Sequence, residues 1–343
     1  MSFIDASKAG ESLISDYNIY VDTGITKETE TKDIARIITH INSQEDYLAV
    51  RMNDDFIGKL DKNTVQNKWK QLIEKPIFDY FRWPVDVITL DYNYYLVYDI
   101  IPTAHLKSVA EQSFDKNFLG IENNKIRTIV LNYIDAFLRM SEKGYLYFGF
   151  DDDNIYTDLD NGSILIPVYN SIYVDNSVKV SFRMKDYFSE VVDPYSYENR
   201  QISNEDTLED VYTYDKRSES YAFVSILFRL LIGLYPYEGP TMAEYSNNQF
   251  SEDNREWIYN YVNNPVFIFD DNDQSNSVKN SNRFKPFVRR WDMLSNQLQT
   301  MFKMTFSEKS VFRENDNFKP YPIVQWKHEI ENLFSGIDNE VKK

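Results

Sequence analysis

Residues 126–170, IRTIVLNYIDAFLRMSEKGYLYFGFDDDNIYTDLDNGSILIPVYN, decide the fold. Apolar residues recur at steps of three and four from Ile126 to Met140, which is the pattern of a helix with one buried face. Gly144 is expected to end this helix. The remainder of the stretch predicts a short irregular loop followed by two short strands.

The order of motifs in this stretch resembles the catalytic loop of eukaryotic-type protein kinases. In that family the helix leads to a Gly-Tyr-hydrophobic turn, a His-Arg-Asp triplet, an asparagine five residues past the aspartate, and then Asp-Phe-Gly. Residues 144–146 match the turn. Gly149 stands in place of the loop aspartate, Asn154 at the asparagine, and Val168 in place of the metal-binding aspartate.

The resemblance implies a kinase frame without kinase chemistry. In a working kinase the loop aspartate orients the attacking hydroxyl, and the asparagine and the second aspartate hold the magnesium ions. Gly149 and Val168 can do neither. We therefore expect no catalytic residue, no metal site and no cofactor.

Residues 1–100 are predicted to form a small lobe that is rich in β-strands. Strand candidates are residues 34–41 and 47–52, both rich in β-branched residues. In the kinase resemblance Arg51 takes the place of the strand lysine, and Asn67, on a predicted helix over residues 63–74, takes the place of its glutamate partner. These two residues cannot form the Lys-Glu ion pair. The chain also has no glycine from Ile25 to Ile57, so the glycine-rich loop that covers phosphates is absent or rebuilt.

Residues 94–102 resemble the strand and hinge between the lobes of a kinase, with Tyr98 at the gate of the adenine pocket. Arg51, Tyr98 and Asn154 would then form a weak or vestigial nucleotide pocket. The nearby pair Trp83-Pro84 resembles a bacterial kinase-like branch found in tellurium-resistance-type gene clusters. That likeness implies a protein partner, such as a metal-dependent Ser/Thr phosphatase or a von Willebrand A-type protein.

Residues 101–335 are predicted to form a larger, mainly helical lobe, and residues 336–343 a frayed tail. Three residues resemble structural positions of kinases: Glu198 closes the activation segment, Glu219 caps the catalytic loop at the start of a helix over 217–233, and Lys319 pairs with Glu198. The polar segment 270–282 has the composition of a mobile loop. The predicted fold class is α+β, with a bilobal protein-kinase-like arrangement.

Composition excludes several function classes. The 37 basic and 54 acidic residues give a formal charge of −17, which repels nucleic acid and anionic membrane surfaces. There are no cysteines, so disulfides and thiolate chemistry are excluded. The three histidines are far apart in the sequence and lack ligand spacing. The N-terminus lacks the pattern of a signal peptide, which favours a cytoplasmic protein.

Three hypotheses about function follow from these patterns. In the first, the protein is a pseudokinase: of six nucleotide and metal positions only Asn154 is kept, so it acts as a protein-binding, regulatory or scaffold module. In the second, it is an atypical ATP-dependent transferase in which Asp151, Asp152 and Asp153 hold a cation together with Asn154. In the third, it is a structural subunit whose pocket is filled by its own side chains. The side chains bulky enough to fill that pocket are Tyr98, Tyr147, Phe148, Phe150 and Tyr169.

Overall fold

The structure is a computed structural model of the whole chain. It describes residues 2–4, 10–15, 18–29, 33–52, 62–90, 93–101, 106–113, 121, 123–169, 171–173, 180–183, 190–194, 211–243, 261–262, 264–307 and 320–341. These residues form a mixed α+β protein. They belong to two compact units: unit 1 is Met1–Val109, Arg139–Asp158 and Ser163–Asp175, and unit 2 is Ala110–Leu138, Leu159–Gly162 and Asn176–Lys343.

Unit 1 is built mainly of strands. Its strands are β1 (Ser2–Ile4), β2 (Ser12–Ile14), β3 (Ile19–Glu28), β4 (Ile34–His40), β5 (Asp46–Arg51), β6 (Phe81–Arg82), β7 (Pro84–Leu90), β8 (Asn93–Asp99), β9 (Lys107–Ser108), β10 (Leu146–Tyr147), β11 (Tyr156–Thr157), β12 (Ile164–Pro167) and β13 (Ile172–Tyr173). Helix α1 (Lys62–Glu74) lies in the chain between β5 and β6.

Seven strands of unit 1 form one antiparallel sheet in the order β1-β3-β4-β5-β8-β7, with β2 also paired to β3. Strand β8 therefore lies between β5 and β7 although it follows both in the chain. The sheet is apolar on the face where Leu13, Tyr20, Ile38 and Val97 are buried together. Burial of that face is the main driving force for this part of the fold.

The large sheet curls so that β2, near one edge, lies beside β7 at the other. The buried carboxylate of Asp86 on β7 accepts hydrogen bonds at Oδ2 from Ser15 Oγ at 2.6 Å, Asn18 Nδ2 at 2.8 Å and Tyr20 Oη at 3.0 Å. A buried carboxylate is costly unless hydrogen bonds replace its hydration. These donors supply them, and so they fasten the N-terminal segment to β7.

The C-terminal end of α1 is held by two aromatic side chains. Trp83 Nε1 donates to the carbonyl of Leu72 at 2.9 Å, and Tyr145 Oη donates to the carbonyl of Lys75 at 3.1 Å. The last carbonyls of a helix have no partner within the helix, so these donors satisfy groups that would otherwise stay open. The Trp83 and Tyr145 rings also lie 5.4 Å apart.

Unit 2 is mainly helical. Its elements are strands β14 (Val180–Arg183) and β15 (Val211–Tyr214), which pair with each other, and helices α4 (Lys216–Ile232), α5 (Pro240–Ala243), α6 (Lys285–Met293), α7 (Asn296–Phe306) and α8 (Ile323–Val341). Helix α2 (Val109–Ser113) begins at the last residue of a unit 1 segment, and helix α3 (Asn124–Glu142) has residues in both units.

Helix α4 is the centre of unit 2, because nearly all of its side chains are buried. Asp215 caps its N-terminus by accepting from the amides of Arg217 at 2.8 Å and Ser218 at 3.3 Å. Gly233 ends it at a φ of 96°, a left-handed conformation that favours glycine. Around Phe228 of this helix lie the rings of Phe267, Phe269, Trp291, Phe302 and Phe306.

The predicted helices and strands around the organising stretch are confirmed. Helix α3 ends just before Gly144, whose φ is 74°, and β11 and β12 are the two short strands. The lobe boundary near residue 100 stays a prediction, and unit 1 also includes residues 139–158 and 163–175. Helix α8 runs to Val341, although we expected fraying after residue 335.

The segment over residues 270–282 is irregular and mostly exposed, as a loop prediction expects, and its mobility stays a prediction. Asn276, Ser277 and Val278 are buried, and Asp270 Oδ1 accepts from the amides of Asn272 at 2.6 Å and Asp273 at 3.2 Å. Some polar side chains of this segment are buried and serve as hydrogen-bond partners. Polar composition therefore indicated the exposure of most of the loop but not the burial of Asn276 and Ser277.

Candidate functional site

The predicted nucleotide and loop positions all fall in unit 1. These positions are Arg51, Asn67, Tyr98, Gly149, Asn154 and Val168. The loop that carries Gly149 is enclosed by two strand pairs: β10 with β13, and β11 with β12. The candidate site therefore lies within unit 1 alone.

The three-residue 3₁₀ turn Asp152–Asn154 shapes this loop. Asp151 caps the turn, because its Oδ1 accepts from the amide of Asp153 at 3.0 Å. Asn154 Nδ2 donates to the carbonyl of Gly149 at 3.2 Å. The one kinase position that the sequence keeps thus supports the loop backbone, and the Asp151 carboxylate is used as a cap.

Gly149 has no space for a side chain. A Cβ built on it would lie 2.6 Å from both Ser171 Cβ and Ser171 Oγ, and 2.8 Å from Tyr147 Oη. Tyr147 Oη is itself 3.0 Å from the Gly149 carbonyl oxygen and 3.3 Å from that of Pro167. Packed neighbours therefore occupy the volume that a side chain at position 149 would need.

Tyr98 and Tyr169 fill the region of the predicted adenine gate. Both are buried, and their rings meet edge to face with centroids 4.7 Å apart. Arg82, which is also buried, donates from Nη1 to Tyr169 Oη at 2.6 Å and from Nη2 to the carbonyl of Ile101 at 3.0 Å. Val168, next to Tyr169, is fully buried. Its aliphatic side chain has no atom that could bind a metal ion.

The hydroxyl of Tyr98 is buried without a hydrogen-bond partner. Burial, the neighbouring Tyr169 and the charge of Asp33 together raise its pKa well above the ordinary value. Burial and the charge of Asp151 likewise raise the pKa of Tyr147. Burial therefore favours the neutral form of both phenols.

All five bulky side chains that we considered able to fill the pocket are buried: Tyr98, Tyr147, Phe148, Phe150 and Tyr169. Tyr147 and Phe150 also meet edge to face, with ring centroids 5.0 Å apart. The loop region is thus an aromatic core.

Arg51 and Asn67 are both exposed. Arg51 ends β5 in register with Tyr95 of β8, and Asn67 lies on the solvent-facing side of α1. Strands β3 and β4 follow each other closely in the chain, and beside their connection the amide of Thr29 donates to the carbonyl of Asp33 at 2.8 Å.

Among the three predicted structural positions, only Glu219 can be placed. It is buried in the first turn of α4 and forms an ion pair with Lys216. Glu198 and Lys319 lie outside the described residues. Within the part of the chain that the structure describes, no group of three or more His, Cys, Asp or Glu side chains is arranged to hold a metal ion.

Arg82 was not among the predicted site residues, although it organises the tyrosines of the site. Its signal in the sequence is its position between Phe81 and Trp83 in an otherwise apolar stretch, because an arginine there must find acceptors once it is buried. The acceptors, Tyr169 and the carbonyl of Ile101, are distant in sequence. The pairing was therefore not readable from the chain.

No model of a known protein family matches the chain, and no curated protein matches it either. None of the described helices is both long and apolar enough to cross a membrane.

Proposed function

We propose that this protein is a catalytically inactive, kinase-like binding module. The observation that carries the proposal is the enclosure of Gly149, where a side chain would overlap Ser171 and Tyr147. A phosphotransfer site needs a carboxylate at this point, and the packing leaves no volume for one. The loop is built for stability instead of proton transfer.

The kinase-like part of the proposal is supported by the strand order of the large sheet. Within it, β3, β4, β5, β8 and β7 form an antiparallel sheet in that order, and α1 lies in the chain between β5 and β7. The small lobe of protein kinases has this order, with its helix after the third strand. This likeness of topology adds to the motif order of residues 126–170.

The inactive part of the proposal is supported by the buried tyrosines. Tyr98 and Tyr169 occupy the gate region, and Arg82 fixes Tyr169. A nucleotide would have to displace these side chains and break a hydrogen bond to a buried guanidinium. Such bonds contribute about 1.5–3 kcal/mol, so weak or absent nucleotide binding is expected.

A module that has lost catalysis can still bind other proteins through its surface. This chain is strongly acidic, with a formal charge of −17, and that charge supports the binding part of the proposal. A protein partner in a bacterial signalling or stress system remains our expectation. The candidates are those implied by the sequence resemblance, a metal-dependent Ser/Thr phosphatase or a von Willebrand A-type protein.

The alternative is an atypical transferase that uses Asp151, Asp152 and Asp153 with Asn154. Two of these four side chains, Asp151 and Asn154, already bond the backbone of their own loop. A catalytic cation would have to compete with those bonds. The geometry therefore favours the binding module.

The test is incubation of the purified protein with γ-labelled ATP and magnesium or manganese, with and without a generic substrate. We expect no metal-dependent labelling. Thermal unfolding at millimolar ATP should also change little, whereas a ligand at a hundredfold excess over its Kd stabilises a fold by roughly 2.7 kcal/mol. Labelling by the wild-type protein that the Asn154→Ala variant loses would overturn the proposal, because a contaminating kinase would label both proteins.

A further inference from the structure

One end of the large sheet in unit 1 exposes a group of isoleucines. Seven large apolar side chains are exposed among the described residues, and four of them are Ile19, Ile41, Ile100 and Ile101. The amide of Ile41 donates to the carbonyl of Ile19 at 3.0 Å, so these two are neighbours. Ile100 and Ile101 directly follow β8.

The strand register places these isoleucines along one line. Tyr20 of β3 pairs with His40 of β4, Thr39 of β4 pairs with Asp46 of β5, and Tyr47 of β5 pairs with Asp99 of β8. Four adjacent strands thus end side by side. At the usual strand spacing they span about 14 Å.

Three carboxylates lie between the isoleucines on the same line, and all three are exposed: Glu45, Asp46 and Asp99. Tyr47 Oη donates to Glu45 at 3.3 Å and Thr39 Oγ1 donates to Asp46 at 2.7 Å, but no salt bridge joins any of the three to a described Lys or Arg. Partial burial and the Glu45 charge raise the pKa of Asp99, against the opposing effect of Arg82. The negative charge here is therefore incompletely balanced.

We call this surface the isoleucine-acid stripe. Its members are Ile19, Ile41, Glu45, Asp46, Asp99, Ile100 and Ile101. Exposed apolar side chains that lie together commonly mark an interaction site, and unbalanced carboxylates attract and orient cations. The carboxylates lie between two apolar groups, so a ligand must present positive groups flanked on both sides by apolar groups.

We propose that the isoleucine-acid stripe docks a segment of another polypeptide in which Lys or Arg residues are flanked on both sides by apolar side chains. A second copy of this chain is a poor occupant, because each copy carries a formal charge of −17. The inference rests on the proposed binding function only in taking the partner to be a protein. Its test measures peptide binding and not phosphotransfer, so the two proposals can fail separately.

The probe is a fluorescein-labelled synthetic peptide with a central run of Lys flanked by Leu on both sides, titrated with the protein and followed by fluorescence anisotropy. We expect binding that weakens as salt is raised to about 0.15 M. The variant Glu45→Gln/Asp46→Asn/Asp99→Asn should bind about tenfold more weakly than wild type, as expected for the loss of three surface charge contacts. The new amides keep an acceptor oxygen for Tyr47 and Thr39, so the fold should be retained.

The matched control is Glu28→Gln/Glu74→Gln/Glu142→Gln, which removes the same net charge from exposed positions outside the stripe. It should bind nearly as well as wild type. Equal weakening of the two triple variants would show that the peptide responds to total charge only, and that result would overturn the proposal. Failure of the wild-type protein to bind the peptide at low salt would overturn it as well.

The apolar half of the stripe has its own pair of variants. Ile41→Ser/Ile100→Ser should weaken binding several-fold, whereas Ile34→Ser/Val324→Ser, which alters exposed apolar residues elsewhere, should not. Equal effects of the two serine pairs would contradict a docking role for the isoleucines.

Discussion

Gly149 in unit 1 and Gly239 in unit 2 are both enclosed glycines, but different neighbours enclose them. A Cβ on Gly149 would meet the Ser171 side chain at 2.6 Å and the end of Tyr147 at 2.8 Å. A Cβ on Gly239 would meet the backbone oxygen and side-chain oxygen of Asn276, each at 2.3 Å. The first enclosure consists of side chains and the second includes backbone.

Asn276, the neighbour of Gly239, is also held by more side-chain bonds than Ser171, the nearest neighbour of Gly149. Asn276 Nδ2 donates to the carbonyls of Tyr237 and Val266, each at 2.9 Å, and its Oδ1 accepts from the amide of Thr241 at 3.0 Å. Ser171 makes one such bond, from Oγ to the carbonyl of Tyr169 at 2.7 Å. The loop after α4 is therefore a rigid structural turn, whereas the loop around Gly149 is a packed site in which single side chains can be altered.

The comparison has a functional meaning under the proposed function. In unit 2, Glu219, a predicted structural position, is buried in the first turn of α4, and Gly233 ends that helix. In unit 1, Gly149 and Val168, which resemble chemical positions, are enclosed or buried. Selection for a stable fold without catalysis would give this difference.

The largest effect is expected from an attempt to rebuild the chemistry in unit 1. We predict that Gly149→Asp/Val168→Asp remains inactive in phosphotransfer and loses about 4 kcal/mol of unfolding free energy, from overpacking at 149 and a buried carboxylate at 168. Equilibrium urea unfolding and the γ-labelled ATP assay measure the two outcomes. Turnover at unchanged stability would mean that the site is nearly intact.

A second pair of variants, with a smaller expected effect, isolates the contribution of overpacking at Gly149. Gly149→Ala should cost about 2 kcal/mol, and adding Ser171→Gly should recover about 1 kcal/mol of it, because the overlapping atoms are removed. A double-mutant cycle with no coupling would show that Ser171 moves aside freely. The contrast with Gly239 would then be greater than the distances indicate.

Another prediction concerns the loop around Gly239 in unit 2. Gly239→Ala should destabilise the protein by about 3 kcal/mol, because the Asn276 side chain cannot move without breaking its bonds to Tyr237, Thr241 and Val266. The control is Gly336→Ala in α8, where an added Cβ meets nothing within 4 Å and alanine should stabilise the helix by up to about 1 kcal/mol. A Gly239→Ala protein as stable as Gly336→Ala would contradict the assigned rigidity.

Much of the fold was predictable because it depends on local patterns. The apolar repeats of α3 and α4 and the glycines at their ends predicted both helices. Strand β3 was not predicted: its sequence, IYVDTGITKE, contains Gly24 at a φ of 73° and an irregular register between Asp22 and Ile25. A bulge interrupts the alternation by which strands are recognised.

The candidate site was predictable in position but not in contents. The spacing of motifs located Gly149 and Asn154, because spacing is a property of the chain. The enclosure of Gly149 depends on Ser171, and the role of Arg82 depends on Tyr169, which is 87 residues away. Such contacts form only in the folded protein, so no local pattern encodes them.

The last prediction compares two neighbouring tyrosines of unit 1 and tests what holds the aromatic filling in place. Tyr169→Phe removes an acceptor from the buried Arg82 and should cost about 2 kcal/mol. Tyr98→Phe removes a buried hydroxyl that has no partner, so it should be neutral or stabilise the protein by up to about 1 kcal/mol. The rings, their burial and their 4.7 Å contact are the same in both variants, so urea unfolding of the two proteins compares one hydroxyl with the other. If Tyr98→Phe were the more damaging change, its hydroxyl would have to bond a group that the structure does not show, and the gate region would be a polar site and not an apolar core.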